Sequence, residues 1–264
     1  MRLKDRVAIV VGAGQTPGET VGNGRAVAIR FAEEGARLIL ADISRDSAEE
    51  TAALCRDSGV DAEAIAADVT KEADCAAIAK VCLDRFGRID ILHNNVGASR
   101  GDLPTTELDE ATWLRLMDLN LKSTWLTCKH VLPAMREQRS GSITNVSSTS
   151  AVCYEPRVIY KVSKAGVITL TQNMALENAP YGIRINTILP GYMDTPMAIE
   201  RRYKERNVER AVIRAERDAK VPLNGRQGTG WDVANAAVFL NSEEAGFITA
   251  VALPIDGGMS ARVG

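Results

Sequence analysis

The sequence lacks the residues that would force a special architecture. Its five cysteines, Cys55, Cys75, Cys82, Cys128 and Cys153, are odd in number and form no C-x-x-C pair. A reduced intracellular protein, with the thiols as small buried hydrophobes, is therefore expected rather than a disulfide framework. The two histidines, His93 and His130, are too few and too scattered for a metal site, so structural roles are expected for them. No apolar stretch approaches the roughly 20 residues that a bilayer span requires. The apolar run after Arg6 is too short, and too soon broken by glycine, to be a signal-peptide core. The expectations are a cytoplasmic protein and no membrane partner. An excess of one charge is missing too: 32 Lys and Arg against 34 Asp and Glu leave a net charge of −2, which gives no footing for nucleic acid or an anionic membrane. There is no repeat, no low-complexity tract, no Pro-, Gly- or Ser-rich linker and no G-x-S-x-G hydrolase elbow.

What is present is alternation. Short aliphatic runs at Val7–Val11, Leu38–Ala41, Ala62–Ala66, Ile89–His93, Ser142–Val146, Ile183–Leu189 and Val251–Ile255 read as seven strands. Between them, helical patterns run over Gly24–Glu34, Arg45–Asp57, Lys71–Phe86, Glu110–Arg136, Val158–Asn178 and Asp232–Leu240. Strands that are apolar throughout, each followed by a helix, imply an α/β fold: a doubly wound parallel sheet with helices on both faces. Ligands of such sheets bind beyond the carboxyl ends of the strands. The 264 residues are expected to form one domain. The one shift in composition is the Arg- and Glu-dense stretch from Ile199 to Lys220. It reads either as a solvated helix laced with ion pairs or as a mobile lid over the site, at about residues 195–220.

After the first strand comes a glycine-rich loop, Gly12 to Gly24, that opens a helix. Glycine lets backbone approach a pyrophosphate, and the helix offers free N–H groups and a positive dipole end. Asp42 closes the second strand. A carboxylate there accepts hydrogen bonds from ribose hydroxyls and repels a 2′-phosphate, which favours NAD over NADP, although Arg45 partly offsets that charge. Asp68 and Val69 follow the third strand and read either as an adenine site or as a helix N-cap region before Thr70. Tyr160 and Lys164 stand one helical turn apart. An ammonium and a pyridinium nearby are expected to lower the phenol pKa and make Tyr160 a general acid/base.

Taken together, Gly12–Gly24, Asp42, Asp68-Val69, Asn94-Asn95-Val96-Gly97, Asn120, Ser147-Ser148, Tyr160-x-x-x-Lys164, Pro190-Gly191 and Asp256-Gly257-Gly258 occur in an order that resembles the short-chain dehydrogenase/reductase family over essentially the whole length. The resemblance implies a Rossmann-type sheet of seven parallel strands, a nicotinamide cofactor, and hydride transfer between that cofactor and a secondary alcohol or ketone. It implies a catalytic set of Asn120, Ser148, Tyr160 and Lys164. Ser148 would hold the substrate oxygen, Lys164 would bind the nicotinamide ribose, and Asn120 would hold a water that links Lys164 to solvent. Asn95, Gly97, Pro190, Gly191 and Thr195 would lie along the cofactor, with Thr195 at the carboxamide. A homotetramer is implied as well, packed through the two long helices and the C-terminal strand.

The chain departs from the family pattern in places. Val11 stands where Thr is usual, and about six extra residues near Gln15–Thr20 lengthen the glycine loop. Which glycines face phosphate is thereby opened; Gly12, Asn23 and Gly24 are favoured. The segment between Ser148 and Tyr160 is one residue short, which leaves Ser147 as the alternative hydroxyl. An acyl thioester, a sugar or polyol, a cyclic diol and a steroid-like ring are all admissible substrates. Arg201, Arg202, Arg206, Arg210 and Arg214 would either greet a carboxylate or phosphate or form solvated ion pairs. The alternative function is a catalytically silent NAD(H)-binding sensor of the same fold, against which the complete catalytic set argues.

Overall fold

A computed structural model describes residues 1–262. The strands are β1 (Val7–Val11), β2 (Arg37–Asp42), β3 (Ala62–Ala66), β4 (Ile91–Asn94), β5 (Gly141–Val146), β6 (Ile183–Pro190), β7 (Met193–Asp194), β8 (Gly228–Thr229) and β9 (Ala252–Ile255). The helices are α1 (Asn23–Glu33), α2 (Arg45–Arg56), α3 (Glu72–Phe86), α4 (Glu110–Met117), α5 (Ser123–Gln138), α6 (Ile159–Asn178), α7 (Pro196–Arg206), α8 (Arg210–Asp218) and α9 (Gly230–Asn241).

Seven strands form one parallel sheet in the order β3-β2-β1-β4-β5-β6-β9. Successive side chains of a strand point to opposite faces. Ala8 and Val10 of β1 therefore join a core with α1, α2 and α9, while Val7, Ile9 and Val11 join a second core with α3, α5 and α6. All five β1 residues are buried, which is why that segment reads as an unbroken apolar run.

The expected strands and helices are present, with boundaries shifted by one or two residues, save for two differences. The helix expected over Glu110–Arg136 is interrupted by a π-helical turn at Asp118–Lys122, which joins α4 to α5. Such turns insert an extra residue and re-aim side chains; here the re-aimed side chain is Asn120. The stretch after β6, expected as a single helix or lid, is a short strand followed by two helices, and β7 pairs in parallel with β8.

Candidate active site

The strand order reverses direction between β1 and β4, so a crevice opens beyond their carboxyl ends. The glycine loop fills its floor. Gly12 has φ +79°, and a Cβ on Gly24 would stand 1.9 Å from the Gly12 carbonyl oxygen. No side chain fits at Gly24 without moving backbone. Gly22 caps α1 without a side-chain hydrogen bond, so no side chain occupies the first-turn N–H groups. Beside them the Asn23 Oδ1 is buried without a partner. The extra residues of the loop fold outward. Gln15 N–H donates to the Ser47 hydroxyl at 2.9 Å, and the Gln15 side-chain oxygen accepts the Gly22 N–H at 2.9 Å. Further along, Glu19 pairs with Arg214 at 3.0 Å. Gly12 and Gly24 thus touch as they would in a shorter loop. An unfilled amide cradle, a glycine contact that admits no Cβ and an orphaned polar atom fit the phosphates of a dinucleotide.

Asp42 lies at the edge of this crevice. Its carboxylate accepts the Gly14 N–H at 2.9 Å and the Ser44 N–H at 3.0 Å. A carboxylate has about four acceptor positions, so room remains for ribose hydroxyls. Asp68 is engaged locally. It accepts the Thr70 hydroxyl at 2.7 Å and the Thr70 N–H at 3.1 Å, and these bonds hold its carboxyl below the usual range. Val69 is buried against the second core. Asn95 follows β4 and donates from its side chain to the Gly12 carbonyl at 3.2 Å. Across the sheet, Pro190 ends β6, and Gly191 N–H donates to Ile255 at 2.9 Å. Thr195 caps α7 through its backbone, and its buried side chain makes no cap hydrogen bond.

The four expected catalytic residues converge from three elements. Lys164, on α6, is 2% exposed, and its ammonium donates to the carbonyls of Val146 at 2.8 Å and Val96 at 3.2 Å. Burial without a carboxylate lowers its pKa to about 8. Gly97 makes this reach possible, since a Cβ there would stand 2.7 Å from the Lys164 Nζ. Asn120 is fully buried in the π-turn. It clamps Ala98 from both sides, accepting its N–H at 2.8 Å and donating to its carbonyl at 2.9 Å, and it reaches the Ser163 hydroxyl at 3.1 Å. Ser147 donates to the Lys164 carbonyl at 2.6 Å, a bond that engages its hydroxyl in holding α6. Ser148 accepts the Ser150 N–H at 3.1 Å, and its hydroxyl pulls the pKa of the Tyr160 phenol down.

Of the two charges expected to lower the Tyr160 pKa, the Lys164 ammonium is not among the groups that lead its shift. Burial raises the pKa above the ordinary tyrosine value, while Ser148, Arg201 and Arg157 pull it down and Glu155 pushes it up. The Lys164 ammonium is directed to two strand-end carbonyls and contributes little at the phenol.

Sequence reasoning missed one residue at this site. The buried carboxylate of Asp102 accepts the N–H groups of Ile159 at 3.0 Å and Tyr160 at 2.8 Å. It caps α6 at the turn that carries Tyr160. Asp102 lies more than fifty residues upstream, so no local capping pattern announced it.

Comparisons with known proteins agree with this geometry. The family profile described as enoyl-(acyl carrier protein) reductase matches residues 19–260. Levodione reductase of Leifsonia aquatica is 38% identical, across 98% of this chain and 96% of its own. Cis-4-hydroxycyclohexanecarboxylate dehydrogenase of Sinomonas cyclohexanicum is 36% identical across 97% of both. The solved structure of NAD+-bound xylitol dehydrogenase superposes with a TM-score of 0.89 at 32% identity, covering 98% of this chain and 100% of that one. A seven-stranded sheet with a dinucleotide crevice at its switch point, matched end to end by alcohol and ketone oxidoreductases, leads to one conclusion: this chain belongs to the short-chain dehydrogenase/reductase family, whose members act on alcohols and ketones with a nicotinamide cofactor.

Proposed function

We propose that the protein is an NAD-dependent dehydrogenase or ketoreductase of secondary alcohols, in which Tyr160 moves the proton and Ser148 holds the substrate oxygen. The observation that carries this reading is the convergence of the Ser148 hydroxyl, which pulls the Tyr160 phenol pKa down, with that phenol and with the buried Lys164 ammonium one helical turn along α6. The cofactor supplies the hydride at its nicotinamide ring. The chain does the rest. Gly12, Asn23 and Gly24 shape the phosphate cradle, Asp42 receives the adenosine ribose, and Asp68 and Val69 border the adenine. Asn95, Gly97, Pro190, Gly191 and Thr195 line the path of the nicotinamide half.

Ser148 fixes the substrate oxygen beside the phenol, so that proton transfer follows the hydride without a search. The raised phenol begins protonated and can donate to a carbonyl oxygen at neutral pH. Alcohol oxidation requires the phenolate and is favoured as pH rises. Lys164 binds the nicotinamide ribose, and Asn120, through its clamp on Ala98, borders the proton path to solvent. The choice of NAD rests on Asp42, which forms no ion pair or hydrogen bond with Arg45 among the described residues. Residues 195–220 serve as the lid. Relatives that act on levodione and on cis-4-hydroxycyclohexanecarboxylate support a ring alcohol or ketone as substrate. Exposed Trp113, Leu114 and Trp125, with Val162 and Leu176 of α6, support packing of copies into a homotetramer through the long helices.

The test is a panel of cyclic and acyclic secondary alcohols with NAD and NADP side by side. Turnover with NAD well above NADP is expected, and Asp42→Ala should narrow the ratio. Tight NADH binding with no turnover on any alcohol or ketone would return the protein to the silent-binder alternative.

A further inference from the structure

Six arginines lie between Thr195 and Lys220, and the structure divides them; Arg217 is buried, donating to the Gln227 side chain at 2.8 Å and to the Met193 carbonyl at 3.0 Å. Arg206 pairs with Glu216 at 2.5 Å, Arg210 with Glu200 at 2.7 Å, and Arg214 with both Asp194 at 3.1 Å and Glu19. These three hold α7, α8 and the glycine loop together. Arg201 and Arg202 are different. Arg202 has no acidic partner among the described residues; its one hydrogen bond goes to the Ala198 carbonyl of its own helix, at 2.7 Å. Arg201 meets only Glu205, at 3.8 Å, through an Nε that is buried and has no hydrogen bond. Its other end donates to the Ser99 hydroxyl at 2.8 Å.

That bond fixes where Arg201 stands. Ser99 follows Ala98, which Asn120 clamps, and Gly97, which touches the Lys164 ammonium. Arg157, three residues before Tyr160, pairs with Glu155. Arg201 and Arg157 both act electrostatically on the Tyr160 phenol, and both oppose the charge on the half-buried Arg202. Arg201, whose one carboxylate is Glu205 at 3.8 Å, therefore stands near the reacting group, and Arg202 follows it on α7 with no ion pair among the described residues. A half-buried guanidinium without a carboxylate is costly, and its planar fork matches an oxyanion.

We propose that the substrate carries an oxyanionic group, a carboxylate in the first instance, received by Arg201 and Arg202 while its carbinol lies between Ser148 and Tyr160. This deepens the reading of the protein as a dehydrogenase: the substrate class is a hydroxy acid or keto acid rather than a neutral alcohol. The chemistry of the step is unchanged. The carbinol C–H leaves as hydride to the cofactor and the O–H proton goes to Tyr160 in its phenolate form, while the anion stays bound at the arginines.

The test uses matched pairs: 3-hydroxybutyrate and 4-hydroxycyclohexanecarboxylate, each against its carboxamide, with the phosphate monoester of cyclohexane-1,4-diol as the second oxyanion. In the wild type at least one acid should exceed its amide in kcat/KM by about 30-fold. In Arg201→Met/Arg202→Met the acid should lose about 30-fold, chiefly through KM, while the amide loses less than about 3-fold. A phosphate ester that outperforms both acids would assign the site to phosphate. Equal rates on acid and amide in the wild type would overturn the proposal. So would an equal fall of both in the variant, which would make Arg201 only a latch to Ser99. Calorimetric binding of cyclohexanecarboxylate, against cyclohexanecarboxamide, to the NADH complex needs no turnover. Carboxylate binding lost in the variant, with no alcohol oxidised, would keep the anion site and sink the dehydrogenase reading. Oxidation of neutral alcohols without carboxylate binding would do the reverse.

Discussion

The wall that carries Tyr160 and the α7–α8 pair that faces it are built on opposite principles. In the wall, Lys164, Asn120, Ser147 and Asp102 are buried, and each is bonded to backbone. Backbone positions are fixed by the sheet and α6, so these side chains inherit that rigidity. The α7–α8 pair buries few side chains, among them Ile199 and Ile213, and is tied by arginine–carboxylate pairs that range from exposed, Arg206–Glu216, to part-buried, Arg210–Glu200. Exposed pairs are weak and screened by salt, and segments with little apolar burial open first. The difference teaches that the Tyr160 wall is held by the backbone of the fold, while α7 and α8 opposite are held largely by charge.

Four experiments would break or sharpen this contrast. The largest effect is expected from Tyr160→Phe, which should lower kcat by about 10²–10⁴-fold while NADH affinity, read by fluorescence titration, stays close to wild type. Near-normal turnover would remove Tyr160 from its role. In the wild type, alcohol oxidation should climb with pH, because burial keeps the phenol protonated at neutrality.

Next comes Asp102→Ala. Loss of the cap on α6 should cost about 1–2 kcal/mol in urea denaturation and lower kcat as well, since the first turn of α6 carries Tyr160. Stability lost with kcat unchanged would show that Asp102 supports the helix but not the phenol.

A smaller effect is expected in the pH dependence of stability at Lys164. Its native pKa is lowered to about 8, while an unfolded lysine titrates near about 10.4. Between these values the unfolded chain holds the proton that the native state has released, so wild-type stability should rise with pH relative to Lys164→Met. Parallel curves for the two proteins from pH 7.5 to 10 would mean that the ammonium is better solvated than its burial implies.

The smallest is Arg206→Gln on the opposite wall, expected to cost under about 1 kcal/mol. It should nevertheless speed proteolysis within residues 196–218, as should raised salt. Equal protection of that segment at low and high salt would contradict the contrast drawn here.

Much of the fold was legible because its central strands are buried. VAIVV in β1 has no polar face to confuse, and each such run is followed by a helical pattern. The pairing of Tyr160 with Lys164 on one helix was legible because the two lie one turn apart in sequence. Other features depend on long-range contact and left no local pattern. Asp102 reaches α6 across 57 residues, and Arg201 reaches Ser99 across 102. The π-turn at Asp118–Lys122 carries no glycine or proline to mark it. Spacing alone placed the Lys164 ammonium beside the Tyr160 phenol, whereas the carbonyls of Val96 and Val146 determine where it points.

The distribution of sulfur has a practical consequence. Cys55, Cys75, Cys82 and Cys128 are buried, and burial pushes their thiols up to about 11 or 12. Thiolates are the reactive form, so a maleimide dye added to the native protein at neutral pH should find Cys153 first, the one half-buried cysteine. That residue sits between Ser148 and Tyr160, where its carbonyl takes the Lys161 ammonium. The sequence thus offers a single reporter position in the segment that joins Ser148 to Tyr160, and changes in that segment can be followed optically without engineering a cysteine.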